Sequence, residues 1–538
     1  MEMLELSILR SHAYLALVDR DHLQLMYADR SAIVTTGIID LTTTEGEAMF
    51  LAMQIAFHRF TPEQWGFLPL VNNAFSLEPS GDIAYHRDKD SSTVKRDCLK
   101  NLTLSLQKKS RKIPLRLTLQ EILYHQPGII GRGTCVIGAS CEDVKEWEKW
   151  ELAVKVSWPS KTRRSLRKCG NFDEAEAISE EAKDLVEESK THWALNHLPN
   201  ILYSEDFDLD SEKKPMPQEK LALFLATADI INGAFKYEPR VLRVSVQEKL
   251  HRFTTLPTLL DYAQAFLDVF ICHRWLYDCP RILHRDISSG NIMYRIIEGK
   301  IYGVLNDLDL SSLRESVEQG VQTSLQRTGT PPYMAIELLQ DDCDNPHPIL
   351  HLYRHDLESL AYVLLLLCSR NKFNPDIRSI ERLQQSPFDN WFDPALSWNG
   401  LAESKRNYLQ GRLSISTKVH PSFQDFIPWI QSLLFAFADG FEAKRKWEKN
   451  TERFGGLLKE GPSTKWEAGS LLNRTLRGRG PVTKKVQKPA PFKEETLGGQ
   501  VVYLSLLRSL SNFAGNPLVY RDFDIREENS ADGDLLYS

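Results

Sequence analysis

Apolar residues recur in short runs through the first part of the chain. Three runs, at 13–18, 23–27 and 32–36, are separated by charged turn residues, and this pattern predicts a β-meander. Apolar positions at helical spacing follow over 45–58 and predict a helix. We therefore expect a β-containing segment that is followed closely by one helix.

A second group of apolar runs surrounds two closely spaced glycines. Alternation of apolar and polar residues over 115–119 predicts a strand, and Gly131 and Gly133 follow it. The apolar, β-branched segments 152–158 and 241–246 predict two more strands. The predicted order is therefore strand, glycine turn, strand, strand.

Helical spacing follows Thr258, and the chain after Glu337 is predicted to be mostly helical. Thr258 and Asp261 form a start that resembles a capping box, with Asp in place of the usual Glu or Gln. The apolar run 360–368 is too short to span a bilayer and predicts a buried helix. Residues 474–488 carry six basic and no acidic side chains, a composition typical of a linker or tail.

The overall composition is ordinary for a globular protein and narrows the classes of partner. The chain has 538 residues, of which 42% are apolar and 26% charged. A net charge of −6 gives no general attraction to nucleic acid or to an anionic membrane. The eight cysteines include no C-x-x-C pair, which argues against a zinc site or a disulfide framework. We expect an intracellular protein, cytoplasmic or nuclear, because this cysteine usage fits a reducing compartment.

The stretch 284–291 contains the residue types that phosphoryl transfer needs. Asp286 and Asn291 stand five positions apart, directly after a His-Arg pair. An Asp here can accept a proton from an attacking hydroxyl, and the Asn carbonyl can bind a metal ion that bridges ATP phosphates. Asp307 ends an apolar run and offers a second hard oxygen ligand suited to Mg²⁺. The segment 329–337 then resembles the end of a kinase activation loop.

Five ordered motifs give the chain a resemblance to the fungal-type protein kinase family, a divergent branch of the protein-kinase-like fold. They are G-R-G-T-x-V at 131–136, A-V-K-V-S-W at 153–158, H-R-D-I-S-x-G-N-I-M at 284–293, D-L-D at 307–309 and R-H-D-L-E-S at 354–359. The resemblance implies an α+β, two-lobed fold with a small β-rich N-lobe and a mainly helical C-lobe. An N-terminal β-containing extension precedes these lobes.

The resemblance also implies a division of the chain into four parts. These are an N-terminal extension with the meander and helix at 1–115, a kinase N-lobe with insertions at 116–250, a C-lobe at 251–455 and a partly disordered C-terminal tail at 456–538. The catalytic stretch then lies in the predicted C-lobe, and the glycine turn lies in the predicted N-lobe.

Nucleotide binding is implied for residues of the predicted N-lobe. Gly131 and Gly133 fit the first two glycines of a phosphate-binding turn, where the lack of a Cβ lets backbone N–H groups approach phosphate. Val136 stands in the place of the third glycine. By resemblance, Lys155 contacts the α- and β-phosphates of ATP and pairs with a Glu of the following helix. Glu174 is our choice for that partner, because an apolar residue follows it by one turn; Glu181 has the same feature and remains open.

Asp356, Asp309 and the lack of a basic residue shortly after Asp286 complete the comparison with the family. Asp356 resembles the structural Asp that holds the backbone of the catalytic loop. Asp309 occupies the Gly place of D-F-G, so the turn needs another backbone solution or strain. Protein kinases acting on Ser or Thr usually carry a Lys two residues after the catalytic Asp. Here Ser288 holds that place, and Gly290 holds the place of the Arg found in many tyrosine kinases.

The leading interpretation is an ATP- and Mg²⁺-dependent protein kinase that acts on Ser or Thr hydroxyls of a protein substrate, without a nucleic acid or membrane partner. A pseudokinase scaffold is the first alternative, because of Val136, Ser288 and Asp309. A small-molecule phosphotransferase of the aminoglycoside-kinase type is the second, because those enzymes share the fold and also lack the loop Lys.

Overall fold

The computed structural model describes residues 9–72, 102–106, 115–126, 128–160, 192–207, 238–314, 329–340, 349–411, 415–459 and 489–520. The chain forms two compact units, each with its own sheets and core. The first comprises 1–251 with 322–327, and the second comprises 252–321 with 328–538. The division into four functional parts stays a prediction.

The first unit starts with a small antiparallel sheet and one helix. The strands are β1 (His12–Asp19), β2 (His22–Asp29), β3 (Ile33–Thr35) and β4 (Ile39–Asp40), and the helix is α1 (Thr44–His58). β2 pairs with the other three strands. The Thr43 hydroxyl accepts the Gly46 N–H and caps α1. The predicted meander and helix are confirmed.

The second sheet of this unit has seven antiparallel strands in the order β10-β11-β9-β8-β7-β6-β5. Their bounds are β5 (Val71–Asn72), β6 (Thr103–Leu106), β7 (Leu115–His125), β8 (Cys135–Ser140), β9 (Leu152–Ser157), β10 (Ile201–Phe207) and β11 (Leu242–Glu248). The strands predicted over 115–119, 152–158 and 241–246 are confirmed as β7, β9 and β11, and the glycine turn joins β7 to β8.

Alternation along β7 explains how this sheet buries one face. Leu115, Leu117 and Leu119 are buried while the residues between them are exposed. They pack in one core with Ile137 of β8 and Val154 of β9. Shifting the register by one residue would move every apolar side chain of β7 to the solvent face, so the pairing of β7 with β8 is strongly specified.

The second unit combines short hairpins with buried helices. Its strands, together with β12 at the boundary between the units, are β12 (His251–Arg252), β13 (Ile282–Leu283), β14 (Ile292–Ile297), β15 (Lys300–Leu305), β16 (Ser312–Leu313), β17 (Asn371–Asn374), β18 (Ser379–Arg382), β19 (Asn512–Phe513) and β20 (Asn516–Pro517). Its helices are α2 (Leu259–Asp278), α3 (Ile336–Leu339), α4 (Tyr353–Arg370), α5 (Trp398–Gln410), α6 (Ile415–Lys418), α7 (Ile427–Lys459) and α8 (Tyr503–Leu510).

Two of these helices form the centre of the second unit, and both were predicted. The Thr258 hydroxyl accepts the Asp261 N–H at 3.2 Å and donates to the Asp261 carboxylate at 2.6 Å, which confirms the predicted start of α2. In α4, every residue except Arg370 is buried. None of the helices in the described part of the chain is long and apolar enough to cross a membrane.

The segment 489–520 folds back onto the helices of the second unit. The side chain of Gln264 in α2 makes two hydrogen bonds with the backbone of Val519, at 2.8 and 3.0 Å. The indole of Trp429 in α7 donates to the carbonyl of Asn512 at 2.9 Å. This part of the C-terminal region is therefore packed, whereas the basic stretch 474–488 lies outside the described residues.

Candidate active site

The catalytic stretch is a turn that connects β13 to β14. β13 pairs with β16, and β14 pairs with β15. Ile287 within the turn and Ile292 just after it are both buried. The turn is therefore anchored by paired strands on both sides and by buried apolar side chains, so its polar residues are presented from a rigid support.

Asp356 at the start of α4 holds the backbone of this turn. Its carboxylate accepts the N–H of His284 at 2.9 Å and the N–H of Arg285 at 3.1 Å. The imidazoles of His273 and His351 approach the same carboxylate at 3.2 and 2.8 Å. Burial alone would raise the pKa of Asp356, but these two histidines hold it well below the usual range. The predicted structural role of Asp356 is confirmed.

The backbone that Asp356 holds is strained. Arg285 has a φ of +68°, a left-handed conformation that ordinary side chains rarely adopt. Two hydrogen bonds to a charged acceptor offset the cost of this conformation, which is on the order of 1–3 kcal/mol. The Arg285 guanidinium also donates to the Ser312 hydroxyl at 2.6 Å, which links the turn to β16.

His284 ties the turn to the residue that precedes Asp307. Its Nδ1 accepts the N–H of Asp286 at 3.3 Å, and its Nε2 donates to the carbonyl of Asn306 at 3.1 Å. This pattern requires the tautomer with hydrogen on Nε2. Complete burial lowers the pKa of His284, and the nearby carboxylates of Asp356 and Asp286 oppose that shift. A neutral imidazole therefore serves as a fixed link.

Asp286 and Asn291 meet inside the turn. The amide nitrogen of Asn291 donates to the backbone carbonyl of Asp286 at 2.7 Å, which leaves the amide oxygen as the atom that can bind a cation. The Asp286 carboxylate is 7% exposed and accepts the hydroxyl of Thr330 at 2.8 Å. A buried carboxylate that accepts a hydroxyl has a defined direction and can still accept a proton.

Asp307 lies beside Asn291 because of the hairpin between β14 and β15. The Asn306 N–H donates to the Asn291 carbonyl at 2.8 Å, one step beyond the last pair of that ladder. Asp307 itself is left-handed, with φ +62°, and its carboxylate accepts the N–H of Asp309 at 3.3 Å. Asp309 needs no glycine, since the turn places its left-handed residue at Asp307, and Asp tolerates that conformation better than most residues.

The oxygen donors near this turn suit Mg²⁺ rather than a transition metal. The described ranges contain no group of three or more His, Cys, Asp or Glu side chains that could hold a metal ion. The two oxygen donors predicted to bind a metal are the amide oxygen of Asn291 in the turn and the carboxylate of Asp307 after β15. Mg²⁺ is commonly held by one or two carboxylates together with water and substrate phosphates, so this donor set fits it.

The nucleotide residues predicted for the glycine turn lie in the first unit. Gly131 and Gly133 have φ values of +119° and +49°, so both use the freedom that glycine provides. Lys155 is half-buried in β9, where it pairs with Val136 of β8 and with Ser245 of β11. Val136 is thus a strand residue, and its position requires no glycine.

The remaining predicted residues fall outside the described chain. Glu174 and Glu181 both lie within 161–191, so the carboxylate partner of Lys155 stays a prediction. Lys155 belongs to the first unit, whereas Asp286, Asn291 and Asp307 belong to the second. The structure brings the last three together in one turn and its neighbouring hairpin.

Several residues that support the turn were missed at the level of sequence. Thr330 contacts Asp286, and the Tyr333 hydroxyl contacts the Ser289 hydroxyl at 2.7 Å. The buried amine of Lys405 in α5 donates to the carbonyls of Met334 and Pro331 at 2.5 and 3.3 Å. Burial lowers the pKa of Lys405 to about 7, although Glu358 nearby opposes the shift. Only the G-T-P-P-Y motif could have indicated that 329–334 contacts the turn.

Glu337, at the end of the same segment, is surrounded by basic side chains. Its carboxylate contacts Arg354 at 2.6 Å, His355 at 3.1 Å and Lys444 at 2.9 Å. Burial opposes ionisation, but the hydrogen bond from His355 and the two cations hold the pKa of Glu337 far below its usual value. Arg354 and Lys444 also pair with Glu494, so these ion pairs join the segment 489–520 to α4 and α7.

Comparison with known proteins yields a family and two partial relatives. A calcium/calmodulin-dependent protein kinase of Emericella nidulans is 26% identical over 155 residues, 28% of this chain and 35% of that protein. A probable serine/threonine-protein kinase of Dictyostelium discoideum is 29% identical over 170 residues, 30% of this chain and 14% of that protein. The chain thus spans about a third or less of each relative. The family model described as fungal protein kinase matches residues 9–368, and the chain therefore belongs to the fungal protein kinase family.

Proposed function

We propose that this chain is an active kinase that transfers the γ-phosphoryl group of ATP, with Mg²⁺, to Ser or Thr hydroxyls of a protein. The observation that carries the proposal is the Asp286 carboxylate, which Thr330 contacts at 2.8 Å in a turn that also presents Asn291, with Asp307 at the end of the neighbouring hairpin. A positioned carboxylate beside two metal-ligand oxygens is the arrangement that phosphoryl transfer to a hydroxyl uses.

Each residue then has one role. Asp286 accepts the proton of the attacking hydroxyl, and Thr330 orients the accepting carboxylate. Asn291 and Asp307 hold Mg²⁺, which when bound neutralises charge on the phosphates. Lys155, with the glycine turn at Gly131 and Gly133, holds the nucleotide phosphates. Asp356 and His284 act through other residues, since they fix the backbone of the turn.

Retention of the proposed catalytic and metal-binding residues favours an active kinase over a pseudokinase. A scaffold that had lost catalysis would have no need of a strained turn held by a buried carboxylate at Asp356. The contacts of Thr330 with Asp286 and of Tyr333 with Ser289 favour a protein substrate over a small molecule. They join the segment that resembles the peptide-docking part of protein kinases directly to the catalytic turn.

The proposal is tested by incubating the purified full chain with γ-labelled ATP, Mg²⁺ and generic protein substrates, followed by phosphoamino-acid analysis. We expect label on Ser or Thr and none when EDTA is added. A parallel reaction with an aminoglycoside tests the small-molecule alternative. Label only on the aminoglycoside, or no transfer while ATP still binds, would contradict the proposal in favour of one alternative or the other.

A further inference from the structure

The side chain of Arg30 reaches from the N-terminal meander to the glycine turn. Arg30 lies just after β2 and is completely buried. Its Nη1 donates to the carbonyls of Gly128 at 2.9 Å and Ile129 at 3.4 Å, and its own carbonyl accepts the Gly131 N–H at 2.9 Å. Three hydrogen bonds therefore join one meander residue to the turn that is proposed to cover the phosphates.

The charge of Arg30 has no anionic partner among the described residues. Its Nε and Nη2 are buried and make no hydrogen bond. Burial lowers the pKa of the guanidinium; Cys135 opposes the shift, and the cation of Arg240 adds to it. A buried guanidinium without an anion is unfavourable, so this position favours the binding of a negatively charged group.

The two unpaired atoms form one edge of the guanidinium, and that edge binds oxyanions. Arg243 in the same unit shows the geometry, because its Nε and Nη2 donate to the two carboxylate oxygens of Asp206 at 2.7 and 3.0 Å. The same fork matches two oxygens of a phosphate equally well. For Arg30, Nη1 is used to hold the turn while the Nε and Nη2 edge is left for a ligand.

The turn is shaped around this guanidinium. A Cβ added at Gly133 would lie 2.5 Å from the Arg30 Cζ, so only glycine permits the contact. The next residue, Thr134, has a buried hydroxyl that also makes no hydrogen bond. A Cβ at Gly131 would meet nothing within 4 Å, so open space lies beside the turn at that residue.

From these contacts we infer that Arg30 is a phosphate-binding residue of the nucleotide site, which makes the N-terminal meander part of that site. The inference rests on the proposed function, because it takes the ligand to be a nucleoside triphosphate. Phosphate oxygens accept from Nε and Nη2 of Arg30, and the Thr134 hydroxyl donates to the same group. This cation supplements Lys155.

Binding measurements on the full chain separate phosphate recognition from support of the turn. We would measure dissociation constants for ATP and for adenosine by calorimetry in the wild type, Arg30→Met, Arg30→Lys and Arg20→Met. Arg20 is the control, since it is an exposed arginine of the same meander. Arg30→Met should weaken ATP binding about ten- to hundredfold and leave adenosine binding unchanged. The ATP affinity of Arg30→Lys should lie between those of the wild type and Arg30→Met, because Lys keeps the charge but lacks the two-pronged guanidinium edge.

Each other outcome counts against the inference. ATP binding that Arg30→Met leaves unchanged would refute it while the proposed function stands. Equal weakening of ATP and adenosine would mean that Arg30 only supports the turn. If Arg30→Met fails to fold, Arg30→Lys decides, since it keeps the charge without the fork and should weaken the binding of ATP but not of adenosine. A wild type that binds no ATP would refute the proposed function itself.

Discussion

Replacing Asp356 by Asn should destabilise the catalytic turn more than any exposed substitution in the second unit. The carboxylate accepts two backbone N–H groups and two imidazoles, and it is 1% exposed. Asn offers a single acceptor oxygen, and its NH₂ group would face donors. The left-handed backbone at Arg285 would then lose the contacts that hold it.

The size of the effect follows from the contacts that are lost. Each hydrogen bond to a charged acceptor contributes about 1.5–3 kcal/mol, and removing one partner of a buried charge network costs about 3–5 kcal/mol. We therefore expect Asp356→Asn to lower the free energy of unfolding by about 3–5 kcal/mol. Phosphoryl transfer should fall with it, because Asp286 would no longer be fixed.

The stability that Asp356 contributes should also depend on pH, in a direction that its pKa determines. The pKa of Asp356 lies well below its ordinary value of 3.8 in the folded protein, so the folded state binds fewer protons than the unfolded state just below that pH. The carboxylate therefore stabilises the fold above about pH 4, and this contribution is lost as the pH falls through the folded pKa. Asp356→Asn should show a shallower loss of stability on acidification than the wild type.

Urea denaturation and hydrogen exchange of the peptide covering 284–291 measure both effects. Asp376→Asn is the matched control, because Asp376 is an exposed carboxylate of the same unit. Fast exchange at His284 and Arg285 is expected only in Asp356→Asn. Unfolding free energy within about 1 kcal/mol of the wild type, together with unchanged exchange, would refute the structural role assigned to Asp356.

Two further predictions concern the residues beside the turn. Thr330→Val should lower kcat by about tenfold with little change in ATP affinity, and Thr330→Ser should restore it, because the hydroxyl orients the Asp286 carboxylate. Arg285→Ala should lower activity, since Arg285 holds Ser312; our hypothesis is that a phosphate between 311 and 328 strengthens this contact. Mass spectrometry of the active protein, with and without phosphatase treatment, tests this hypothesis. Full activity of a protein that carries no phosphate between 311 and 328 would rule out activation by phosphorylation there.

Elements defined by neighbouring residues were predictable from sequence. The meander, α1 and the start of α2 follow from alternation and from caps such as Thr258, which involve contacts only a few residues apart. The catalytic turn was also recognisable, because Asp286 and Asn291 lie close in the chain and meet within one turn.

Contacts between distant segments were not predictable in the same way. Asp356 contacts His273, which lies 83 positions away, and Thr330 contacts Asp286, which lies 44 positions away. No local sequence pattern predicts either pair. Arg30 is a further case, since its carbonyl partners Gly128 and Ile129 lie nearly a hundred residues away. Its sequence context is a polar hairpin turn, in which an Arg is normally solvated.

Val136 shows that a position counted along a sequence motif does not identify the place of that residue in the fold. Counting along G-x-G-x-x-G puts it in a glycine position, but register places it in β8 opposite Lys155. Motif spacing is counted in residues, whereas the end of a turn is set by where strand pairing resumes. The effect of Val136 on phosphate binding therefore stays a prediction.

The most direct test compares Asp286→Asn with Asp307→Asn in the same transfer assay, with ATP affinity measured alongside. Asp286→Asn should bind ATP normally and slow transfer by about 10²–10⁴-fold, the range for loss of a positioned general base. Asp307→Asn should abolish turnover while the fold stays intact, because it removes the charged Mg²⁺ ligand. Wild-type transfer rates in either variant, or a loss of ATP affinity in Asp286→Asn equal to its loss of rate, would contradict the roles proposed for these two residues.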